Sequence, residues 1–155
     1  MAWLRLGYLG GFVQSGRVLD IGYGDGAFIR AARRAGFEAF GYDVASGASD
    51  VPTVESLSGA WDIVTCFDSL EHFDNPSSVF MVRPSLFLVT IPNLPTGVSD
   101  EGLKAWRHYK PDEHLHYFTR YSIRRLFHRH GYALGESAPV EDLIRKAPEG
   151  QRGAN

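Results

Sequence analysis

The stretch that decides the fold lies near the N-terminus and reads Val18-Leu19-Asp20-Ile21-Gly22-Tyr23-Gly24-Asp25-Gly26. A short apolar run, interrupted by one acid, is followed by three glycines at alternate positions. This pattern predicts a buried strand, a tight turn and a helix that begins at Ala27. Glycine permits positive φ and leaves room for a ligand against the backbone, and the new helix directs free N–H groups toward that ligand. The stretch therefore predicts a nucleotide-like ligand at the turn.

The residues that follow extend the turn into a βαβ unit. Residues 27–35 are predicted to form a helix that Gly36 ends. Residues 37–42 are predicted to form a second strand that stops at Asp43. A strand, a helix and a strand within about 30 residues predict two parallel strands joined by a right-handed crossover.

The rest of the pattern predicts a Rossmann-like α/β fold, doubly wound and mostly parallel. The small, polar segment 45–59 leaves room only for a shortened crossover, with a stub strand near 51–54. The other expected elements are strands at 62–67, 85–91, 132–136 and 143–146, a short helix opened by Asn75, a long loop at 93–118 and a helix at 119–130. The length predicts a single domain over 1–155, with a cover element at 1–15, a core at 16–137 and a frayed tail at 147–155.

Composition excludes several other classes of protein. The formal net charge of −2 provides no basic field for nucleic acid, and the late basic cluster at 120–130 is interpreted as the solvated face of an amphipathic helix. The N-terminal segment has only one arginine and an apolar run broken by glycines, which is unlike a signal peptide. No run reaches the roughly 18 apolar residues of a membrane helix. The lone Cys66 favours a reducing cytoplasm.

Three of the four predicted parallel strands carry an acid at or near their carboxyl ends, where ligands bind in such sheets. These acids are Asp20, Asp43 and Asp68. Asp43 is placed to accept both hydroxyls of a ribose. Acids suit a ligand that carries positive charge and repel a pyrophosphate, so a nicotinamide or flavin site is the weaker alternative, although Gly22-x-Gly24-x-x-Ala27 satisfies the relaxed dinucleotide pattern. A tight turn without any ligand is the other alternative.

Five segments in order resemble class I S-adenosylmethionine-dependent methyltransferases of the small-molecule branch. They are the glycine stretch 18–26, the acidic strand end 41–43, and the segments 62–72, 89–93 and 111–119. The resemblance implies S-adenosylmethionine as cofactor, with S-adenosylhomocysteine as product, and a seven-stranded sheet whose last strand is antiparallel. The chain departs from the family at Tyr23, where a small residue or cysteine is usual, and in the abbreviated middle.

The resemblance also implies roles for individual residues. The turn residues Gly22, Tyr23, Gly24 and Gly26 would hold the methionine part of the cofactor, beside Asp20. Asp43 would hold the ribose, and Phe67 and Asp68 would line the methyl-donor pocket. Val44, with Asp50 and Val51, is expected to contribute to the adenine wall.

The predicted reaction is methyl transfer to a small-molecule or sugar-like acceptor, at oxygen. His72 and His116 are the candidate bases, because an imidazole titrates near the working pH. Trp106, Tyr109 and Phe118 are expected to form an aromatic lid. Glu71, His72, Glu113, His114 and His116 would suffice for a divalent ion, but their spacing matches no metal signature, so no metal is predicted. A non-catalytic, methyltransferase-like partner subunit remains the alternative, and the oligomeric state is left open.

Overall fold

A computed structural model describes residues 2–44, 50–137 and 142–146. Its sheet contains six strands in the order β2-β1-β3-β4-β6-β5. The first four strands are mutually parallel, whereas β6 runs antiparallel to both β4 and β5. The Rossmann-like class and the antiparallel last strand are therefore confirmed. The strands are β1 Arg17–Ile21, β2 Glu38–Tyr42, β3 Ile63–Phe67, β4 Leu86–Thr90, β5 Tyr132–Ser137 and β6 Asp142–Lys146.

The abbreviated middle accounts for one strand fewer than the resemblance implied. Within the described residues, the stub expected near 51–54 forms only an isolated parallel bridge between Thr53 and Gly41. Gly41 donates to the carbonyl of Pro52, and Val54 donates to the carbonyl of Gly41. Proline has no N–H to continue such a ladder, and the small polar residues that follow cannot bury a strand. The expectation of seven strands is therefore wrong for the part of the chain that the structure describes.

The described residues form four α-helices, and several of the helix ends follow the sequence signals. Gly36, at φ 93°, comes just after the helix that it was predicted to end. Thr119 caps the last helix through a reciprocal pair of hydrogen bonds with Ser122. Asn75 accepts from Ser77 N–H at 3.1 Å, but the helix that it opens is a 3₁₀ helix, Pro76–Met81. The α-helices are α1 Ala2–Gly10, α2 Ala27–Arg34, α3 Asp100–Ala105 and α4 Arg120–Arg129, and a second 3₁₀ helix spans Leu70–His72.

The predicted loop 93–118 contains α3, which the sequence analysis missed. Ser99 caps this helix by accepting from Gly102 N–H at 3.2 Å, and two acids occupy its first turn. The cap and the acids are the signals that could have predicted it. The helix has no buried residue, so no apolar face marks it in the sequence.

Alternating residues of the central strands fill two apolar clusters on opposite faces of the sheet. Phe87 and Val89 lie in the cluster beneath α4, whereas Leu86 and Leu88 lie in the cluster beneath α1 and α2. Leu9 of α1 is fully buried in the second cluster. Side chains alternate along a strand, and Asp20, Thr65 and Phe67 are on the same side of the sheet as the second cluster. These three side chains therefore point toward α1.

None of the helices in the described part of the chain is long and apolar enough to cross a membrane. The predicted tail at 147–155 lies outside the described residues.

Candidate cofactor and active site

The glycine turn adopts the backbone conformation that its sequence predicts. Gly22, Gly24 and Gly26 have φ values of 72°, 53° and 72°. A Cβ at Gly22 would collide with the side chain of Ser69, and one at Gly26 would lie 2.9 Å from Val51 Cγ1. Two of the three positions therefore require glycine both for conformation and for space.

Two cavities meet at this turn, with Gly22 in the wall of each. The main cavity, of about 750 Å³, lies beyond the carboxyl ends of β1 and β2. The second cavity, of about 380 Å³, lies between the turn and α1. The main cavity is lined by Gly22, Tyr42, Asp43, Val44, residues 55–58, Ser69, residues 72–75, Ser78 and Met81. The second is lined by Ala2, Trp3, Arg5, Asp20, Gly22, Tyr23, Asp25, Ala27, Phe28 and Phe67.

Asp43 lies in the main cavity at the end of β2. Its Oδ2 accepts from the N–H of Gly24 at 3.4 Å, which ties the carboxylate to the turn. Val44 lines the same cavity and is 87% exposed. Asp50 instead pairs with Arg30 at 3.0 Å, and Val51 is buried against Gly26. The cavity wall beyond Asp43 is formed by residues 55–58, for which the sequence analysis gave no signal.

Tyr23 lines the second cavity and leaves the main one open. Its ring packs on the backbone of Gly41, where a Cβ would lie 2.7 Å from Tyr23 Cγ. A side chain at position 41 would therefore displace the tyrosine. Gly41 is a residue that sequence reasoning missed, although a glycine inside a strand often marks a close approach.

Asp20 is a buried acid in the wall of the second cavity. It is 3% exposed, and the hydroxyl of Thr65 donates to its Oδ1 at 2.6 Å. Burial raises the pKa of Asp20 to about 7, against the lowering effects of the Thr65 hydrogen bond and the charge of Arg5. Near neutral pH this carboxyl can therefore be stabilised in its charged form by a ligand that carries positive charge.

Arg5 of α1 connects this cavity to the end of β3. Its Nη2 lies 2.8 Å from Asp68 Oδ2, and its guanidinium lies 4.4 Å from the centre of the Phe67 ring. Asp68 has an unusual φ of 52° and also accepts from the Thr90 hydroxyl at 3.0 Å. Phe67 lines the second cavity, whereas Asp68 is held beside it by Arg5 and Thr90. Arg5 was missed because it lies in the cover element, far from every motif.

The two candidate bases occupy different environments. His72 lines the main cavity, and its Nδ1 lies 2.7 Å from the carbonyl oxygen of Glu113. A carbonyl only accepts, so Nδ1 carries the hydrogen and Nε2 of the neutral ring is the basic atom. His116 instead places its Nε2 3.4 Å from the carbonyl of Asp74 and stacks on Phe118. The structure therefore brings His72 to the main cavity and leaves His116 in the wall behind it.

Two of the rings predicted for the lid, Trp106 and Tyr109, contact a third ring, Tyr117. Tyr109 and Tyr117 stack with centroids 5.7 Å apart, and Trp106 lies 6.1 Å from Tyr117. Phe118 is 9% exposed and belongs to the core beneath α4, so its expected place in the lid is wrong. Whether an aromatic residue of this segment lies in the core or in the lid depends on the path of the chain, which the sequence pattern does not give.

Two further buried groups lie behind His72. Glu71 is 2% exposed and His114 is 7% exposed. One nitrogen or oxygen atom from each of Glu71, His72 and His114 lies within 4.8 Å of the others. Burial raises the pKa of Glu71 to about 7 and lowers the pKa of His114.

The six-stranded sheet, the glycine turn and the acid at the end of β2 together define a Rossmann-like fold of the class I methyltransferase type. A family model described as a methyltransferase domain matches residues 4–137. The chain therefore belongs to this methyltransferase-domain family, and the resemblance that the sequence suggested is confirmed.

Curated relatives and solved structures are similar to this chain over different lengths. Ubiquinone biosynthesis O-methyltransferase from Bordetella avium is 32% identical over 99 residues, which are 51% of this chain and 40% of that protein. The Shewanella pealeana enzyme of the same name is 31% identical over 118 residues, or 57% of this chain and 50% of that protein. The chain thus spans half or less of these relatives.

A solved S-adenosylmethionine-dependent methyltransferase from Archaeoglobus fulgidus has the same fold. Its TM-score is 0.68 at 17% identity, over 94% of this chain and 92% of that one.

Proposed function

We propose that this protein transfers the methyl group of S-adenosylmethionine to a hydroxyl oxygen of a small molecule, with His72 as general base. The observation that carries the proposal is the orientation of His72. Its Nδ1 is committed to the Glu113 carbonyl, so its basic Nε2 is available in the cavity that also contains Asp43 and Gly22. The names of the O-methyltransferase relatives support oxygen as the acceptor atom.

The residues present fit the cofactor at both of its ends. Arg5 and Asp20 provide opposite charges in the second cavity, which suits the carboxylate and the ammonium of an amino-acid group. Asp43, at the end of β2, suits the two hydroxyls of a ribose. Between them, the glycine turn exposes backbone without side chains, and the space beside Gly24 holds no protein atom within 4 Å of a Cβ built there.

The cofactor, when bound, supplies a methyl group already activated by its sulfonium charge. The residues of the chain therefore have to orient the acceptor, exclude water and remove one proton. The aromatic rings of Trp106, Tyr109 and Tyr117 would cover the acceptor. His72 Nε2 would take the hydroxyl proton as the oxygen is methylated and would later release it to solvent.

The competing function is a methyltransferase-like subunit without catalysis. Tyr23 was the sequence feature that favoured it, because a large ring in the turn could close the cofactor site. The ring packs on Gly41 and leaves the main cavity open. This placement supports the enzyme over the inactive subunit.

Calorimetry tests cofactor binding independently of the acceptor. S-adenosylhomocysteine should bind the wild-type chain, and Asp43→Asn should weaken that binding at least tenfold, since one ribose partner is lost. Asp74→Asn is the matched control, because Asp74 also lines the main cavity but away from β2. Binding of NADH in preference to S-adenosylhomocysteine would instead identify a dinucleotide site.

Methyl transfer is then measured with methyl-labelled S-adenosylmethionine and a panel of catechols, simple phenols and sugars. Labelled product from any hydroxyl compound, lost in His72→Ala, would support the proposal. Cofactor binding without transfer to any member, even at high protein concentration, would favour the non-catalytic subunit.

A further inference from the structure

A buried acid and a buried imidazole lie directly behind His72. Oε2 of Glu71 and Nδ1 of His114 are both buried, and neither has a hydrogen-bond partner among the described residues. Such atoms are costly to bury and are rare in folded proteins. A pair of them beside a candidate base indicates a role beyond packing.

The backbone fixes both groups in place. The N–H groups of Leu115 and His116 donate to the carbonyl of Glu71 at 2.9 and 3.0 Å. His114 N–H donates to the carbonyl of Lys110 at 2.7 Å. These backbone hydrogen bonds tie residues 114–116 to the end of β3 and to Lys110, and the His114 ring also makes a hydrogen bond with the backbone of His108. The two unpartnered atoms, Glu71 Oε2 and His114 Nδ1, take no part in these bonds.

Both side chains approach the His72 ring. The ring of His114 meets it edge-on, with centroids 4.8 Å apart and an interplanar angle of 78°. An atom of the Glu71 carboxyl lies within 4.8 Å of a ring nitrogen of each histidine. A carboxylate at this distance, shielded from water, interacts strongly with any charge that forms on His72.

We propose that Glu71 and His114 are positioning residues for His72. The buried carboxylate of Glu71 offsets the positive charge that His72 gains when it takes the acceptor's proton, and His114 holds the His72 ring against the Glu113 carbonyl. This inference rests on the proposed function of His72 as base.

The proton and the charges balance in this step. The acceptor O–H bond breaks as an N–H bond forms at His72 Nε2. The acceptor oxygen would gain the methyl group as the sulfur–methyl bond of bound S-adenosylmethionine breaks, and the thioether left on the cofactor would carry no charge. His72 holds one positive charge beside the Glu71 carboxylate until it releases the proton to solvent.

Among the charged groups near Glu71 and His72, Glu71 is the main electrostatic partner of His72. Asp68 and the Cys66 thiol interact with Glu71, and Asp68 raises the pKa of Glu71 whereas the charge of His72 lowers it. Lys110 and Glu113 lie near His72 and His114, but they pair with each other at 2.8 Å and largely cancel. A protonated His72 therefore stabilises a charged Glu71, and a charged Glu71 favours protonation of His72.

The test is a pH titration of the histidine ring nitrogens by NMR, on the full chain labelled with ¹⁵N and treated with a chelator. Wild-type His72 should show hydrogen at Nδ1. Glu71→Gln should lower the pKa of His72 by about one unit, a tenfold loss of proton affinity. Asp112→Asn is the control, because it removes an exposed carboxylate from the segment 106–118, which also contains Glu113 and His114. His114→Ala, which removes the ring that packs edge-on against His72, should weaken the Nδ1 hydrogen bond, whereas His114→Phe, which keeps a ring, should preserve it.

The outcomes separate this inference from its rivals. An unchanged His72 pKa in a folded Glu71→Gln protein would overturn it. Stoichiometric zinc or magnesium in the dialysed protein, with shifts of the His72 and His114 nitrogens on adding either ion, would also overturn it in favour of a metal site. The spectra need no cofactor, so a failure to bind S-adenosylhomocysteine would count against the proposed function only. Circular dichroism confirms that each variant is folded.

Discussion

The two sides of the site are built in different ways. We call the turn at Gly22–Gly26, with Arg5, Asp20 and Asp43, the cofactor side. We call His72 with residues 106–118 the acceptor side. The cofactor side relies on backbone in conformations that only glycine adopts readily and on a buried acid in a fixed hydrogen bond. The acceptor side relies on two backbone hydrogen bonds to Glu71 and on the hydrogen bond from His72 Nδ1 to the Glu113 carbonyl. Together they tie residues 106–118, which we call the strap, to the end of β3.

This difference predicts separable effects of mutation. Changes on the cofactor side should alter stability and cofactor affinity together, because the same atoms serve both. Changes on the acceptor side should alter turnover and leave cofactor affinity intact.

The largest expected effect is at His72. His72→Ala removes the base, so methyl transfer to an acceptor that the wild-type chain uses should fall by about 10²–10⁴-fold. Affinity for S-adenosylhomocysteine, measured by calorimetry, should stay within about twofold. His116→Ala is the matched control and should lose little turnover, since His116 lies behind the cavity wall. An equal loss in both variants would show that the strap, rather than the base, had been damaged.

The next effect is a comparison of two glycines in one turn. Gly22→Ala combines a φ of 72° with a collision against Ser69, whereas Gly24→Ala, at 53°, meets no atom within 4 Å. We expect Gly22→Ala to lower the free energy of unfolding by about 3 kcal/mol and Gly24→Ala by about 1 kcal/mol. Urea unfolding of both variants measures the difference. Equal losses would contradict the packing of Ser69 on the turn.

A smaller effect concerns Asp20 and pH. The folded pKa of Asp20, about 7, lies above the ordinary value of 3.8, so folding penalises the charged carboxyl. The penalty is absent below about pH 4, grows as pH rises from about 4 to about 7, and stays constant above that. Asp20→Asn should therefore be more stable than the wild type at pH 8, on the order of 2 kcal/mol, with the gap closing toward pH 4.

The same Asp20→Asn protein should bind S-adenosylhomocysteine more weakly. The Asp20 carboxyl would then be a group that destabilises the folded protein but strengthens binding of the cofactor. Urea unfolding from pH 4 to pH 8 and calorimetry measure the two effects. A gap in stability that stays constant with pH would contradict the raised pKa.

The smallest effect is at Arg5. Arg5→Ala should weaken S-adenosylhomocysteine binding about tenfold, or about 1.4 kcal/mol, because one charge partner of the amino-acid group is lost. Arg34→Ala, an exposed arginine at the end of α2, is the control. Unchanged binding in Arg5→Ala would show that Arg5 only braces Asp68.

The sequence predicted most of the cofactor side and little of the acceptor side, for a physical reason. Positive φ at Gly22 and the acid at Asp43 follow from local rules, since a turn and a strand end are properties of a few adjacent residues. The role of Arg5 depends on how α1 crosses the sheet, and the support of Tyr23 by Gly41 depends on strand pairing. His72 lines the main cavity and His116 does not, because of the path that the strap takes. The strap is mostly irregular, so helix and strand periodicity in the sequence does not predict that path.

Because local sequence rules do not predict chain path or strand pairing, three other predictions about the fold were wrong or incomplete. Pro52 ends the ladder after one bridge, so the expected stub adds no seventh strand in the described part of the chain. Phe118 was predicted to lie in the lid, but at the end of the strap the chain returns to the core and Phe118 is buried there. α3 lacks a buried face and is recognisable only by its cap and its acids.

A crystal structure of the chain with S-adenosylhomocysteine tests the central claim most directly. The account predicts the ribose hydroxyls on Asp43, the amino-acid group between Arg5 and Asp20, and His72 Nε2 facing the cofactor's sulfur across the main cavity. A ligand bound elsewhere, or bound with its ribose away from Asp43, would contradict it.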